Sequence, residues 1–122
     1  MKIVSIETLR ITEFANVIWV RVHTDAGVIG LGETFHGAGA VESHIHDTLA
    51  GRLVGRNPLH IEALHREMLN LPMAQSSTGV EYRAASAIDI AATWLMCLPA
   101  ILTASASGLS RSPPQISQVL AL

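Results

Sequence analysis

Thr24-Asp25-Ala26-Gly27-Val28-Ile29-Gly30-Leu31-Gly32-Glu33 is the stretch whose reading decides the fold. Asp25-Ala26-Gly27 reads as a tight hairpin turn, with Gly27 supplying the positive φ that a short bulged loop needs. Just before it, Asn16 to Thr24 alternates, with Ile18, Val20 and Val22 on one face and Val17 and Trp19 on the other. Apolar groups on both faces predict a central strand, covered at least partly on each side. Just after it, Val28 to Phe35 returns as the partner strand. Gly30 and Gly32 share one of its faces, where another element must come close to the backbone. Further out, Val4 and Ile6 take one parity and Leu9 and Ile11 the other, which predicts a bulge or bend near Glu7-Thr8. The sum is a three-stranded antiparallel meander.

Beyond Gly39 the apolar period changes from two to about 3.6. Val41, Ile45, Leu49 and Leu53 predict one helix from about Ala40 to Val54, with Gly55 as its stop, although Gly51 weakens the last turn. Asn57-Pro58 reads as a helix start, Asn as N-cap and Pro at the first helical position. Ile61, Leu64, Met68 and Leu71 form the stripe of that second helix, which Pro72 ends. Ser76-Ser77-Thr78-Gly79 reads as a loop with capping potential. A third helix starts near Glu81, and its Ala84, Ala85, Ala87, Ile88, Ala91 and Ala92 predict close helix packing. Pro99 is expected to interrupt it. Residues 99–122 are expected to form an irregular or disordered tail, with one short turn or strand at Ile116 to Leu120. The fold class is α+β, a meander followed by about three helices, with residues 1–98 as the domain.

Composition narrows function. The chain has 122 residues, 49% of them hydrophobic and 15% charged, with net charge -2. One domain fits, and a (β/α)8 barrel, which takes roughly 250 residues, does not. Eight Lys+Arg against ten Asp+Glu leave no basic excess, which argues against nucleic-acid binding. The single Cys97 allows no internal disulfide. Met1 to Glu7 has no apolar signal core, so a cytoplasmic location is expected. Ile90 to Ser110 carries no charge and is long enough to span a bilayer. Pro99, the interspersed Ser and Thr, and an Ala-rich composition favour a soluble helix there, with no membrane partner.

The chemically capable residues do not assemble into a motif. His44-Ile45-His46 places two imidazoles about 200° apart on a helix, and His60 and His65 are also misplaced for one face. No zinc quartet, P-loop, nucleophile elbow or βαβ glycine motif is present, so exposed helix histidines and no metal site are expected. Glu62 and Arg66 read as an i,i+4 surface pair. Asp89, among Ala87, Ile88, Ile90 and Ala91, reads as a buried or interface acceptor holding loop amides. No catalytic residue emerges.

Residues 1 to about 92 resemble the N-terminal capping domain of the mandelate racemase/muconate lactonizing enzyme family, in the enolase superfamily. The resemblance is carried, in order and spacing, by Met1 to Thr8, Thr24 to Glu33, Gly55-Arg56-Asn57-Pro58 and Ser86-Ala87-Ile88-Asp89-Ile90-Ala91. It implies a cap over a C-terminal barrel that binds Mg2+ and removes a proton next to a carboxylate. It implies a parent enzyme that is an acid-sugar dehydratase, racemase or cycloisomerase, with a small carboxylate as substrate. It also implies that Phe14, Ala15 and Asn16 in a first loop, and Phe35, His36 and Gly37 in a second, exclude water and choose the substrate. Without the resemblance these are an ordinary turn and the beginning of a helix.

After Ala91 the text departs from the family pattern. Ala92-Thr93-Trp94-Leu95-Met96-Cys97-Leu98-Pro99 lacks the expected acid, lysine and glycine pair. The expectation is a truncated or frame-disrupted product, inactive alone and with no cofactor of its own, the Mg2+ belonging to the missing barrel. The alternative is a small interaction module that forms a homo-oligomer through the apolar run from Ile90 to Leu102.

Overall fold

The computed structural model describes residues 1–70 and 79–106. Strands β1 (Ile3–Leu9), β2 (Val17–Thr24) and β3 (Ile29–Phe35) form an antiparallel sheet in the order β1-β2-β3. The central position of β2 follows from its two apolar faces. Ile18, Val20 and Val22 are fully buried on one of them, each contributing roughly 1.5–3 kcal/mol of burial. Gly27 turns the β2–β3 hairpin with φ 74°. The Thr24 hydroxyl donates to the Val28 carbonyl at 2.8 Å and closes the turn.

The expected irregularity near Glu7-Thr8 is corrected. The register slips instead between Ile3 and Ser5, where β1 meets the end of β2. That slip puts Ile3 and Ile6 in the core and leaves Val4 half exposed, so the alternation of Val4 with Ile6 misled. The cause is tertiary. Ile3 donates to the Arg56 carbonyl at 2.9 Å and accepts from the Gly55 amide at 2.8 Å, pinning the strand to a loop far along the chain.

Helix α1 (Ala38–His44), a π turn (Ile45–Leu49) and helix α2 (Ala50–Leu53) form one rod. Val41, Ile45, Leu49 and Leu53 are all fully buried. Steps of four residues overshoot a regular helical turn by about 40° each, so the stripe would drift off the core. The wider closure of the π turn takes up that excess. Gly55, at φ 88°, ends the rod as expected.

Asn57-Pro58 is a second correction. Asn57 caps a single turn, its Oδ1 accepting from the Leu59 amide at 3.1 Å, and helix α3 (Ile61–Leu69) starts only after it. Pro58 is fully buried instead, packed inside before the helix begins. Leu64 and Met68 carry the buried stripe, while Leu71, Pro72 and the loop at 76–78 lie outside the described residues.

Helix α4 runs from Val80 to Ala106 and passes through Pro99, so the expected interruption is corrected. Proline removes one hydrogen bond and costs roughly 3 kcal/mol, which a long Ala-rich helix can absorb. The expected turn or strand at Ile116 to Leu120, and the tail beyond Ala106, lie outside the described residues. No helix among the described residues is long and apolar enough to cross a membrane. Ala84, Ala85, Ala87, Ile88, Ala91, Ala92 and Leu95 are buried along α4, which packs against β3 and also against α3, α1 and β2. Gly30 and Gly32 face it. A Cβ at Gly30 would run into the Ala91 carbonyl, and one at Gly32 into the Ala87 carbonyl. The expected close approach is therefore a helix backbone lying on a strand backbone.

Candidate functional site

The residues predicted for the two loops lie at one end of the sheet. β1 leaves through a 3-10 turn, Thr12–Phe14, before β2 begins at Val17. β3 ends at Phe35, the register partner of Val17, and passes through His36 and Gly37 into α1. The His36 amide donates to the Asn16 carbonyl at 2.8 Å, so the structure brings the two loops side by side. Phe14 and Phe35 are 55% and 70% exposed there. Two aromatic rings so open to water on a small domain mark a surface suited to a ligand or a neighbour.

The backbone of the second loop is specialised. His36 and Gly37 hold consecutive left-handed conformations, φ 72° and 69°. Such a conformation is uncommon for any residue but glycine, although histidine is among the side chains that tolerate it. The pair turns the chain sharply from strand to helix, and Gly37 becomes the N-cap of α1.

Sequence reasoning missed the groups beneath these loops. Arg10 Nε lies 3.0 Å from Glu42 Oε2, and the Thr8 hydroxyl donates to Glu42 Oε1 at 2.9 Å. That hydroxyl has one proton, so its oxygen accepts from His46 Nε2, 2.8 Å away. The only available signal was the i,i+4 spacing of Glu42 and His46 on a helix, since their partners come from a strand 34 and 38 residues earlier.

The remaining candidates resolve separately. Asp89 Oδ2 accepts from His65 Nδ1 at 2.5 Å, so it joins α4 to α3, and among the described residues this imidazole, not a loop amide, is the partner found. Its Oδ1 is buried without a hydrogen bond. Glu62 and Arg66 pair at 3.2 Å on the surface as expected. His46, His60, His36 and His65 are exposed, whereas His44 and His23 are partly buried. The buried Nε2 of His44 has no hydrogen-bond partner. On the outer sheet face His23 Nε2 donates to Glu7 Oε2 at 3.0 Å, with Arg21 at 3.6 Å from the same oxygen. This hydrogen bond, aided by Arg21, holds the Glu7 carboxyl below its ordinary range.

A magnesium ion takes about six oxygen ligands, among them one or two carboxylates. Among the described residues no three His, Cys, Asp or Glu side chains converge to hold a metal. Glu42, the carboxylate beneath the loop edge, already serves Arg10 and Thr8. The described residues therefore offer no set of side chains that fits the ion the resemblance implies.

Comparison with known proteins agrees with this architecture. Residues 4–96 match the model of the mandelate racemase / muconate lactonizing enzyme N-terminal domain. A D-xylonate dehydratase of Haloferax volcanii is 40% identical over 75 residues, covering 61% of this chain and 18% of that protein. An enolase of the mandelate racemase subgroup from Agrobacterium tumefaciens superposes with TM-score 0.75 at 42% identity, over 91% of this chain and 31% of that one. A mandelate racemase/muconate lactonizing enzyme from a marine actinobacterium, solved in complex with magnesium, gives TM-score 0.65 at 28% identity, over 75% of this chain and 28% of that one. The chain therefore spans less than a third of the length of these relatives.

Proposed function

The chain belongs to the mandelate racemase/muconate lactonizing enzyme N-terminal domain family, and from that premise we propose that it is the capping domain of an acid-sugar dehydratase of the enolase superfamily. The observation that carries this reading is the joined loop edge, where the hydrogen bond from His36 to Asn16 ties together two loops whose neighbouring Phe14 and Phe35 are both exposed. Two exposed rings on hydrogen-bonded backbone are suited to covering a bound substrate and excluding water from it. Ala15, Asn16, His36 and Gly37 shape the same edge, with no acid or base among them except the exposed His36. The edge therefore selects and encloses a small hydroxy acid. Metal binding and proton abstraction belong to the part of the relatives that this chain does not span. The dehydratase choice among dehydration, racemisation and cycloisomerisation rests on the D-xylonate dehydratase relative.

The test has two arms. The 122-residue chain, assayed with Mg2+ against a panel of acid sugars, is expected to show no turnover, and metal-dependent turnover overturns the reading. Residues 1–96, substituted for the matching region of the Haloferax dehydratase, are expected to support dehydration with an altered preference among acid sugars. Within that chimera Phe14→Ala and Phe35→Ala should each raise KM by roughly three- to tenfold, with kcat changed far less. Unchanged KM in both variants sinks the assignment of the loops.

A second reading, a self-associating module, is favoured by Ile90, Trp94 and Met96 of α4, each 43–51% exposed. Size-exclusion chromatography decides it: a dimer or larger species that Trp94→Lys converts to monomer supports it, and a monomeric parent chain rejects it.

A further inference from the structure

We propose that Arg10, Glu42, Thr8 and His46 are positioning residues that fasten the first loop to α1, so that the two loops form one edge that moves as a unit. The proposal takes its functional meaning from the capping reading above, while its geometry stands without it. Arg10 follows β1 directly and is the first residue on the way to Phe14. Glu42 sits mid-helix in α1, which begins one residue after Gly37. Their ion pair therefore joins the chain leaving β1 to the helix that receives the second loop. At the far ends of the same loops the amide of His36 meets the carbonyl of Asn16. The two loops are thus tied at two places, one through side chains and one through backbone.

The chemistry of the tie is economical with partners. Each oxygen of the Glu42 carboxylate has its own donor, Arg10 on Oε2 and Thr8 on Oε1. The Thr8 hydroxyl passes the chain on to His46, one helical turn beyond Glu42. An isolated exposed ion pair contributes little, because each long side chain loses freedom and water screens the charges. Here the carboxylate is only 31% exposed and doubly bonded, and linked hydrogen bonds reinforce one another. The Arg10 guanidinium lies over the first turn of α1, 3.4 Å from where a Cβ at Gly39 would stand, an ordinary packing distance.

Residue-resolved amide hydrogen exchange on the 122-residue chain tests this without any substrate. The reporter is the His36 amide, and the controls are Val20 and Val22 in the centre of the sheet. In Glu42→Ala and in Arg10→Gln the His36 amide is expected to exchange at least ~5-fold faster, with the controls changed less than ~2-fold. Arg10→Lys, which keeps the charge, should recover a large part of the protection. An unchanged His36 amide in both variants overturns the proposal. Equal acceleration of His36 and the controls also overturns it, because the cluster would then stabilise the whole domain and not the loops. Failure of the capping reading would show elsewhere, as a KM indifferent to Phe14 and Phe35 while His36 still responds to Arg10.

Discussion

His36 carries a left-handed backbone at φ 72° in the one place where the chain must turn from strand directly into helix. A side chain with a Cβ in that conformation costs about 1–2 kcal/mol, least for residues such as histidine and asparagine. The cost is accepted next to Gly37, which needs no such concession, and at the edge we assign to substrate selection. A β-branched residue there should be worse than histidine and glycine better. His36→Val is expected to lower unfolding free energy by about 1–2 kcal/mol, and His36→Gly to leave it unchanged or raise it by less than ~1 kcal/mol. Urea titrations of the two variants check this, and equal midpoints would show that the loop re-forms in another conformation. The same scale explains why Phe14 and Phe35 stand out: each is a large apolar side chain left in water at a position where the backbone is held.

Among the elements, the contact of α4 with β3 is the one that admits no enlargement. Helix and strand backbones meet because Gly30 and Gly32 lack side chains and the helix presents Ala87 and Ala91. Gly32→Ala would drive a methyl group into the Ala87 carbonyl, and no rotamer change relieves a clash with backbone. We expect it to destabilise the domain by about 3 kcal/mol or more, lowering Tm clearly in a thermal melt followed by circular dichroism. Gly51→Ala is the control. It lies in α2 with nothing near a Cβ, so it should be neutral or stabilising by up to ~1 kcal/mol. If Gly32→Ala melts with the parent chain, the packing of α4 on β3 is wrong. The rod of α1, π turn and α2 shows the same dependence of backbone on neighbours, since a strict four-residue stripe can stay on the core only where the helix widens.

For the whole molecule, acid provides a readable response. The Glu7 carboxyl is held below its ordinary range first by the hydrogen bond from His23 and then by the Arg21 charge. A carboxyl lowered in the folded state adds stability above its unfolded pKa, and that contribution is lost as pH falls through the folded value. Urea unfolding followed downward from about pH 5 should therefore lose stability more steeply in the parent chain than in Glu7→Gln. Because Glu7 is largely open to water, the difference should shrink in high salt, and an identical acid slope for the two proteins would show the pair to be idle. The order of elements, the central place of β2, the glycine face of β3 and the stop at Gly55 were legible in the chain, because alternation, helical period and glycine placement are local properties. Phe14 falls in the turn after β1 and Phe35 at the last position of β3, and their assignment to a substrate edge stays a proposal. The slip at Ile3, the turn at Asn57-Pro58, the helix carried through Pro99 and the bond from Asp89 to His65 were not legible. Each depends on a partner distant in the chain or on the length of helix around it, and a local pattern contains neither. The linear chain therefore determined which segments are strands and helices and which faces they bury. Only the tertiary structure decided that Arg10, Glu42, Thr8 and His46 meet, because a hydrogen bond requires two groups within about 3 Å and the folded backbone alone brings residues more than thirty positions apart that close.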